Sequence, residues 1–207
     1  MFKYLIFFLF LFIKFTASSQ ILFTSNQVIE PYLGYPNLGR FSLEFFSDSI
    51  NKEHKEFSGL APSGLCYSYM LNDVISVGVD VIYNSITENS STVKTVFMNN
   101  EWLTQTNFMT IKLQRLRLHA RINFHFPVSS AMSDSYLGLG FGTNSKWKKT
   151  IINGNNLEEL SGRKAVLFPF SLRVCYGYCY YFNYNWGIQG EVGLGGPLLS
   201  VGLSYKI

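Results

Sequence analysis

A chain of 207 residues with no internal repeat and no linker of distinct composition has room for one barrel-sized domain plus a leader. Charged residues make up 14%, where an average soluble protein has roughly 25%, while 47% are hydrophobic and 17% aromatic. The formal charge of +4 includes the leader residues Lys3 and Lys14, so the basic footprint of a nucleic-acid binder is absent.

Lys3 is followed by an apolar run over residues 4–13 and then by Ala17-Ser18-Ser19 ahead of Gln20, which predicts a cleavable signal peptide over residues 1–19. The run stops at Lys14, short of the ~20 residues a membrane-crossing helix needs. No cysteine follows the cleavage site to take a lipid. Residues 20–36 are expected to form a periplasmic N-terminal segment, and residues 37–207 the folded domain.

Beyond that point apolar and polar residues alternate in segments of about ten, separated by turn-forming clusters, which is a strand period. Eight strands are predicted, at about residues 37–47, 62–71, 74–84, 108–126, 135–146, 166–182, 186–194 and 197–207. In the third, Ile75, Val77, Val79, Val81 and Tyr83 oppose Ser76, Gly78 and Asp80. In the fourth, Leu116, Leu118, Ala120, Ile122, Phe124 and Phe126 oppose Arg117, His119, Arg121, Asn123 and His125. Ile111 and Leu113 have the opposite parity, which predicts a bulge near Gln114 and Arg115. In the last, Leu199, Val201, Leu203, Tyr205 and Ile207 share a face. Short connections (72–73, 127–134, 183–185) alternate with long ones (47–61, 85–107, 147–164), and only Gly195-Gly196 is a short outer loop. A membrane barrel with short periplasmic turns and long outer loops has this asymmetry.

Alternation does not say which face is outside, but volume does. An eight-stranded barrel has an interior just wide enough to be filled by side chains, and the Phe, Tyr, Leu and Trp of these strands would overfill it. The opposite face carries Gly138, Gly140, Gly142, Gly177, Gly187, Ser171 and Ser200, small residues that suit a crowded lumen and weaken a solvent-facing strand. Charges of both signs stand among them: Arg40, Arg117, Arg121 and Arg173 with His119, against Glu44, Asp80 and Glu191. Unpaired, each would cost several kcal/mol to bury, so ion pairs across the lumen are expected. Lipid then takes the apolar face, with Tyr69, Tyr83, Trp147, Tyr180 and Trp186 near strand ends as interfacial aromatics. The expected fold is an all-β, eight-stranded antiparallel up-and-down transmembrane β-barrel.

Several stretches resemble the outer-membrane β-barrel domain proteins common in Bacteroidota. They are Tyr69-Met70-Leu71-Asn72-Asp73 running into Ile75-Ser76-Val77-Gly78-Val79-Asp80, Arg115-Leu116-Arg117 leading to Arg121-Ile122-Asn123-Phe124-His125-Phe126, Tyr136-Leu137-Gly138-Leu139-Gly140-Phe141-Gly142, and Gly193-Leu194-Gly195-Gly196-Pro197-Leu198-Leu199 through Leu203-Ser204-Tyr205-Lys206. The resemblance covers roughly residues 35–207 and implies a small outer-membrane barrel without a catalytic motif. Such barrels end in an aromatic that the insertion machinery reads, whereas this chain ends in Ile207 with Tyr205 two residues earlier.

Candidate chemistry is sparse. His119 and His125 face one way but sit about 20 Å apart along the strand, too far to share a metal without help from other strands. His54 stands in a loop among Lys52, Glu53, Lys55 and Glu56 and reads as a solvated charge cluster. Cys175 and Cys179 are about 13 Å apart on one face, so they do not bridge in register. No Gly-x-Ser-x-Gly, His-Glu-x-x-His or Walker sequence occurs, so no enzyme, cofactor or metal is expected. A lipid-modifying Ser, His and Glu set assembled from different strands is a minor alternative.

The expected role is structural or surface-binding in the bacterial outer membrane. Alternatives are a narrow pore or small-solute transporter, and a soluble lipocalin-like binder. Expected partners are outer-membrane lipid, the insertion machinery acting on the C-terminal strand, and an extracellular partner at the long loops, above all 85–107 with Phe97, Trp102 and Phe108 near its end, a segment whose plainer reading is an upward extension of the barrel walls.

Overall fold

The computed structural model describes residues 21–22, 24–37, 55–98, 101–126, 130, 132–156, 162–163 and 169–207, giving only the backbone path at 92, 94–98, 101–105, 156 and 162–163. The leader, Arg40, Glu44 and His54 lie outside the described residues, as do the side chains of Phe97 and Trp102.

Eleven strands are described: β1 (Gln27–Tyr35), β2 (Lys55–Ser58), β3 (Ser63–Met70), β4 (Ile75–Met98), β5 (Glu101–Phe126), β6 (Ser133–Ile152), β7 (Asn155–Asn156), β8 (Gly162–Arg163), β9 (Phe170–Tyr181), β10 (Trp186–Leu194) and β11 (Leu199–Lys206). Eight of them, β1, β3, β4, β5, β6, β9, β10 and β11, pair antiparallel with their chain neighbours, and β1 pairs with β11 to close the ring. The fold is a closed, all-β, eight-stranded up-and-down barrel.

The side chains alternate across this wall with an inverted sense of burial. Leu139, Phe141, Leu172, Val174, Ile188, Val201 and Leu203 are exposed on the outside, while Arg121, Arg173, Glu191, Asp80 and His119 are buried inside. A water-soluble ligand-binding barrel has the reverse arrangement. On β5 the outward apolar residues run from Leu116 to Phe126, about 34 Å of strand, which at a tilt of ~40° spans about 26 Å and matches the apolar band of an outer-membrane barrel.

Two turns at one end are built alike. Asn72 Oδ1 accepts hydrogen bonds from the amides of Val74 (2.9 Å) and Ile75 (2.7 Å), and Asn183 Oδ1 accepts from those of Asn185 (3.0 Å) and Trp186 (2.7 Å). Each asparagine closes its hairpin by mimicking a backbone turn.

Two sequence expectations need correction. The barrel begins at β1, inside the segment 20–36 expected to be periplasmic; of the expected strand 37–47, only residue 37 is described. Pro31 in mid-strand argues against strand formation, but its missing N–H falls where the β1–β11 ladder is interrupted, between the Ile29↔Tyr205 and Tyr32↔Gly202 pairs. The bulge expected near Gln114 and Arg115 does not occur, because β4 and β5 keep one register from Ile75↔Phe124 to Met98↔Glu101. The parity change has another cause: Ile86 and Leu113 are partners on the inward face above the apolar band, where water replaces lipid outside. A one-residue offset exists instead between the pairs Ser58↔Thr87 and Ser63↔Tyr83. Residues 85–98 and 101–107 continue β4 and β5 as the expected upward extension of the wall.

Candidate functional site: the sealed lumen

The lumen is filled in layers from its middle to the end that carries the Asn72 and Asn183 turns. At its centre the carboxylate of Glu191 on β10 receives Arg121 Nη2 from β5 on Oε1 and Arg173 Nη2 from β9 on Oε2, the latter at 2.5 Å. Arg173 Nε also lies 3.5 Å from Asp80 Oδ2 of β4. All four residues are at most 3% exposed, so the expected ion pairs form inside: Arg121–Glu191 and Arg173–Asp80 cross between strands that do not neighbour one another, and Arg173–Glu191 joins the neighbours β9 and β10. Burying two guanidinium and two carboxylate groups is tolerable only because each faces an opposite charge and further hydrogen bonds.

Two tyrosines complete this layer. Tyr32 donates to Asp80 Oδ1 at 2.6 Å, and the Tyr136 hydroxyl lies 2.7 Å from Glu191 Oε1 and 3.0 Å from Gln189 Oε1. Their rings stack beside the guanidinium groups: Arg173 Cζ is 5.8 Å from the Tyr32 centroid and Arg121 Cζ 5.4 Å from that of Tyr136. Each ring lies against a glycine on the directly opposed position of the next strand, Gly64 for Tyr32 and Gly177 for Tyr136. A Cβ at Gly177 would sit 2.2 Å from Tyr136 Cζ, and one at Gly64 2.3 Å from Tyr32 Cζ.

Towards the outer end, Arg117 donates to Gly195 O (2.6 Å) and Asn84 Oδ1 (3.4 Å) rather than to a carboxylate. His119 is fully buried, and neither ring nitrogen has a hydrogen-bond partner among the described residues. Cys66, Cys175 and Cys179 are free and buried. Among the described residues no group of three or more His, Cys, Asp or Glu could hold a metal ion.

At the end that carries the Asn72 and Asn183 turns, Leu22 inserts among Val28, Met70, Cys179 and Tyr181 and closes the mouth. The strap carrying it is held by Lys206 Nζ donating to Ile21 O (3.2 Å), Thr24 N and Oγ1 donating to Asp73 Oδ1 (3.1 and 3.3 Å) and Ser25 N to Met70 O (3.0 Å). Lys206 also sits 3.8 Å above the Tyr184 ring centroid. Just inside the strap, Ser76, His125 and Asp134 form a hydrogen-bonded chain. Asp134 was expected in the connection 127–134 but is the second residue of β6.

The aromatics expected at the interfaces face outward. Tyr83 of β4 accepts a hydrogen bond from Gln114 Nε2 (2.7 Å), and Gln114 is the register partner of Trp147 on β6, so the three form one row at the upper edge. Tyr69, Tyr180 and Trp186 stand at the opposite edge, where Trp186 packs on Tyr205 with ring centroids 4.7 Å apart. Sequence reasoning missed Glu30, Tyr32 and Tyr136 as lumen occupants, all at most 5% exposed, whereas Lys206, opposite the apolar face of its strand, is buried inside as its parity predicts.

No protein-family model and no curated protein matches this chain. Among solved structures it is similar to the N-terminal β-barrel domain of Pseudomonas aeruginosa OprF, at 12% identity over 90% of this chain and 100% of that one, with a TM-score of 0.47. It is also similar to Ail, the attachment invasion locus protein of Yersinia pestis (13%, 89% and 99%, 0.40), and to the outer membrane protein OprG from Pseudomonas aeruginosa (13%, 91% and 98%, 0.38).

Proposed function

We propose that this chain is an integral outer-membrane β-barrel protein of a Gram-negative bacterium, with a structural or surface-binding role and a lumen closed to solute. The observation that carries this reading is the inverted burial, with leucine, valine and aromatic side chains outside and a paired ion cluster within. Only a closed barrel satisfies every strand hydrogen bond in hydrocarbon, and here β1 pairs with β11. Lipid covers the apolar band, the insertion machinery engages β11, and the extended β4–β5 hairpin offers a surface to an extracellular partner. The residue likeness given above supports a source among the Bacteroidota.

Two measurements test the reading. Expressed with its leader in a Gram-negative host, the protein is expected in the outer-membrane fraction and to migrate faster unheated than boiled. Reconstituted in planar bilayers, it is expected to be electrically silent. Recovery from the periplasm without detergent overturns the membrane assignment, and stepwise conductance overturns the sealed lumen.

A further inference from the structure

We propose that Ser76, His125 and Asp134 form a nucleophilic triad at the periplasmic mouth that hydrolyses short-chain carboxylic esters once the Leu22 strap withdraws. This goes beyond the barrel reading, and its failure would leave that reading intact.

The three residues are near the periplasmic ends of three consecutive strands: Ser76 is the second residue of β4, His125 the last but one of β5, and Asp134 the second of β6. Ser76 Oγ lies 2.9 Å from His125 Nε2, and His125 Nδ1 lies 2.9 and 3.0 Å from the two oxygens of Asp134. A carboxylate only accepts, so Nδ1 of the neutral imidazole carries the proton and Nε2 is left to accept from the Ser76 hydroxyl. That tautomer is the one a serine nucleophile needs, with a base in reach and a third group orienting it. The Tyr136 ring holds the imidazole from one side, its centroid 5.5 Å away.

An electrophilic partner is present as well. Asn123 Nδ2 donates to Ser76 Oγ at 3.1 Å, and its amide is oriented by Arg121 Nε donating to Asn123 Oδ1 at 2.7 Å. An amide donor beside the nucleophile is placed to stabilise the oxyanion that develops when Oγ adds to a carbonyl.

Access and substrate class follow from the void beside these groups. It measures about 10 Å³ and its lining combines Asn123, His125, Asp134 and Glu30 with Leu22 and Met70, while Ser76 stands behind His125 and Asn123, hydrogen-bonded to both. That admits about one water, not an ester, so the strap must leave first. Withdrawal of Leu22 opens a socket lined by Val28, Met70, Cys179 and Tyr181, apolar and sized for a four- or five-carbon chain.

In the proposed reaction Ser76 Oγ attacks the ester carbonyl while its proton passes to His125 Nε2, with Asp134 stabilising the resulting imidazolium. The tetrahedral adduct collapses, the C–O bond to the alcohol breaks, and His125 returns the proton to the departing alkoxide. Water then attacks the acyl-serine, again giving its proton to His125. Release of the carboxylic acid returns that proton to Ser76 Oγ. No oxidant or metal is required.

The test uses the full-length barrel purified in detergent, its fold checked by mobility before and after boiling, and p-nitrophenyl butyrate as probe. Peptide mass spectrometry is expected to find a butyryl group on Ser76. Leu22→Ser is expected to raise the acylation rate at least ~10-fold by loosening the strap, and p-nitrophenyl decanoate to react more slowly than the butyrate in both proteins. His125→Gln is expected to lower the rate ~100-fold or more, the usual scale for losing a general base. The proposal is overturned if folded wild-type and Leu22→Ser proteins both lack acyl-Ser76, if acylation is spread over exposed serines, or if folded His125→Gln reacts as fast as wild type. The first two outcomes need no change within the triad, so a variant that fails to fold does not shelter the proposal.

Discussion

The mid-lumen and the periplasmic mouth are built from similar polar residues but organised differently. At the centre, Arg121, Arg173, Glu191 and Asp80 face one another as full charges, and two tyrosine rings pressed onto glycines lock them in place. At the mouth, Ser76, His125 and Asp134 form a linear chain capped by one leucine on a strap with few hydrogen bonds. A cross-linked buried charge cluster opens only with the barrel, whereas a strap joined by a few surface hydrogen bonds belongs to the low-stability end of the molecule. The comparison teaches that the lumen is a staple in its middle and a closable recess at its end.

The largest effect that can break this contrast is at Glu191. Replacing it with Ala leaves two buried guanidinium groups short of their shared carboxylate, and a loss of about 3–5 kcal/mol is expected in urea unfolding from lipid vesicles. A loss below 1 kcal/mol would mean the centre is not a staple. Next, Leu139→Arg on the outer face is expected to cost about 2–4 kcal/mol, as a cation does near the midplane of a membrane barrel. Gly177→Ala pushes a methyl group into the Tyr136 ring and is expected to cost about 1–3 kcal/mol. The double variant Gly177→Ala, Tyr136→Phe should recover it only in part, because the clash is with the ring carbons, at 2.2 and 2.4 Å, as well as with the hydroxyl at 2.5 Å. Smallest is Thr24→Ala at the strap: global stability is expected to change by less than ~1 kcal/mol, while hydrogen exchange at the amides of residues 24–26 accelerates ahead of the barrel strands. Equal protection of strap and strands would erase the distinction between the two regions.

Much of this organisation was legible in the residues, for reasons that also mark where reading stopped. Period-two alternation on β4 and β5 located the outward face and placed Asp80, Arg117, His119 and Arg121 inside, because a residue's face depends only on parity. Strand β1 escaped because Glu30-Pro31 breaks the apolar pattern, and the interrupted β1–β11 ladder that tolerates Pro31 is a pairing no local pattern reveals. Tyr32 fell in the segment expected to be periplasmic and Tyr136 was assigned to neither face; the signal that they turn inward is a glycine opposite each, legible only once the register is known. The parity change at Leu113 read as a bulge because a strand leaving the membrane inverts its pattern just as an inserted residue does. The mouth was the least legible region. Ser76 was read only as a small lumen residue and Asp134 as part of a turn, and no motif links positions that meet through three separate strands.

The central claim, that the apolar face meets acyl chains while ions fill the axis, is tested most directly by fluorescence quenching with brominated lipids. In a chain whose native tryptophans Trp102, Trp147 and Trp186 are replaced by Phe, Leu139→Trp should be quenched most by bromines deep in the acyl chain and little by aqueous iodide. Strong iodide quenching with no response to the brominated chains would place that face in water and contradict the account.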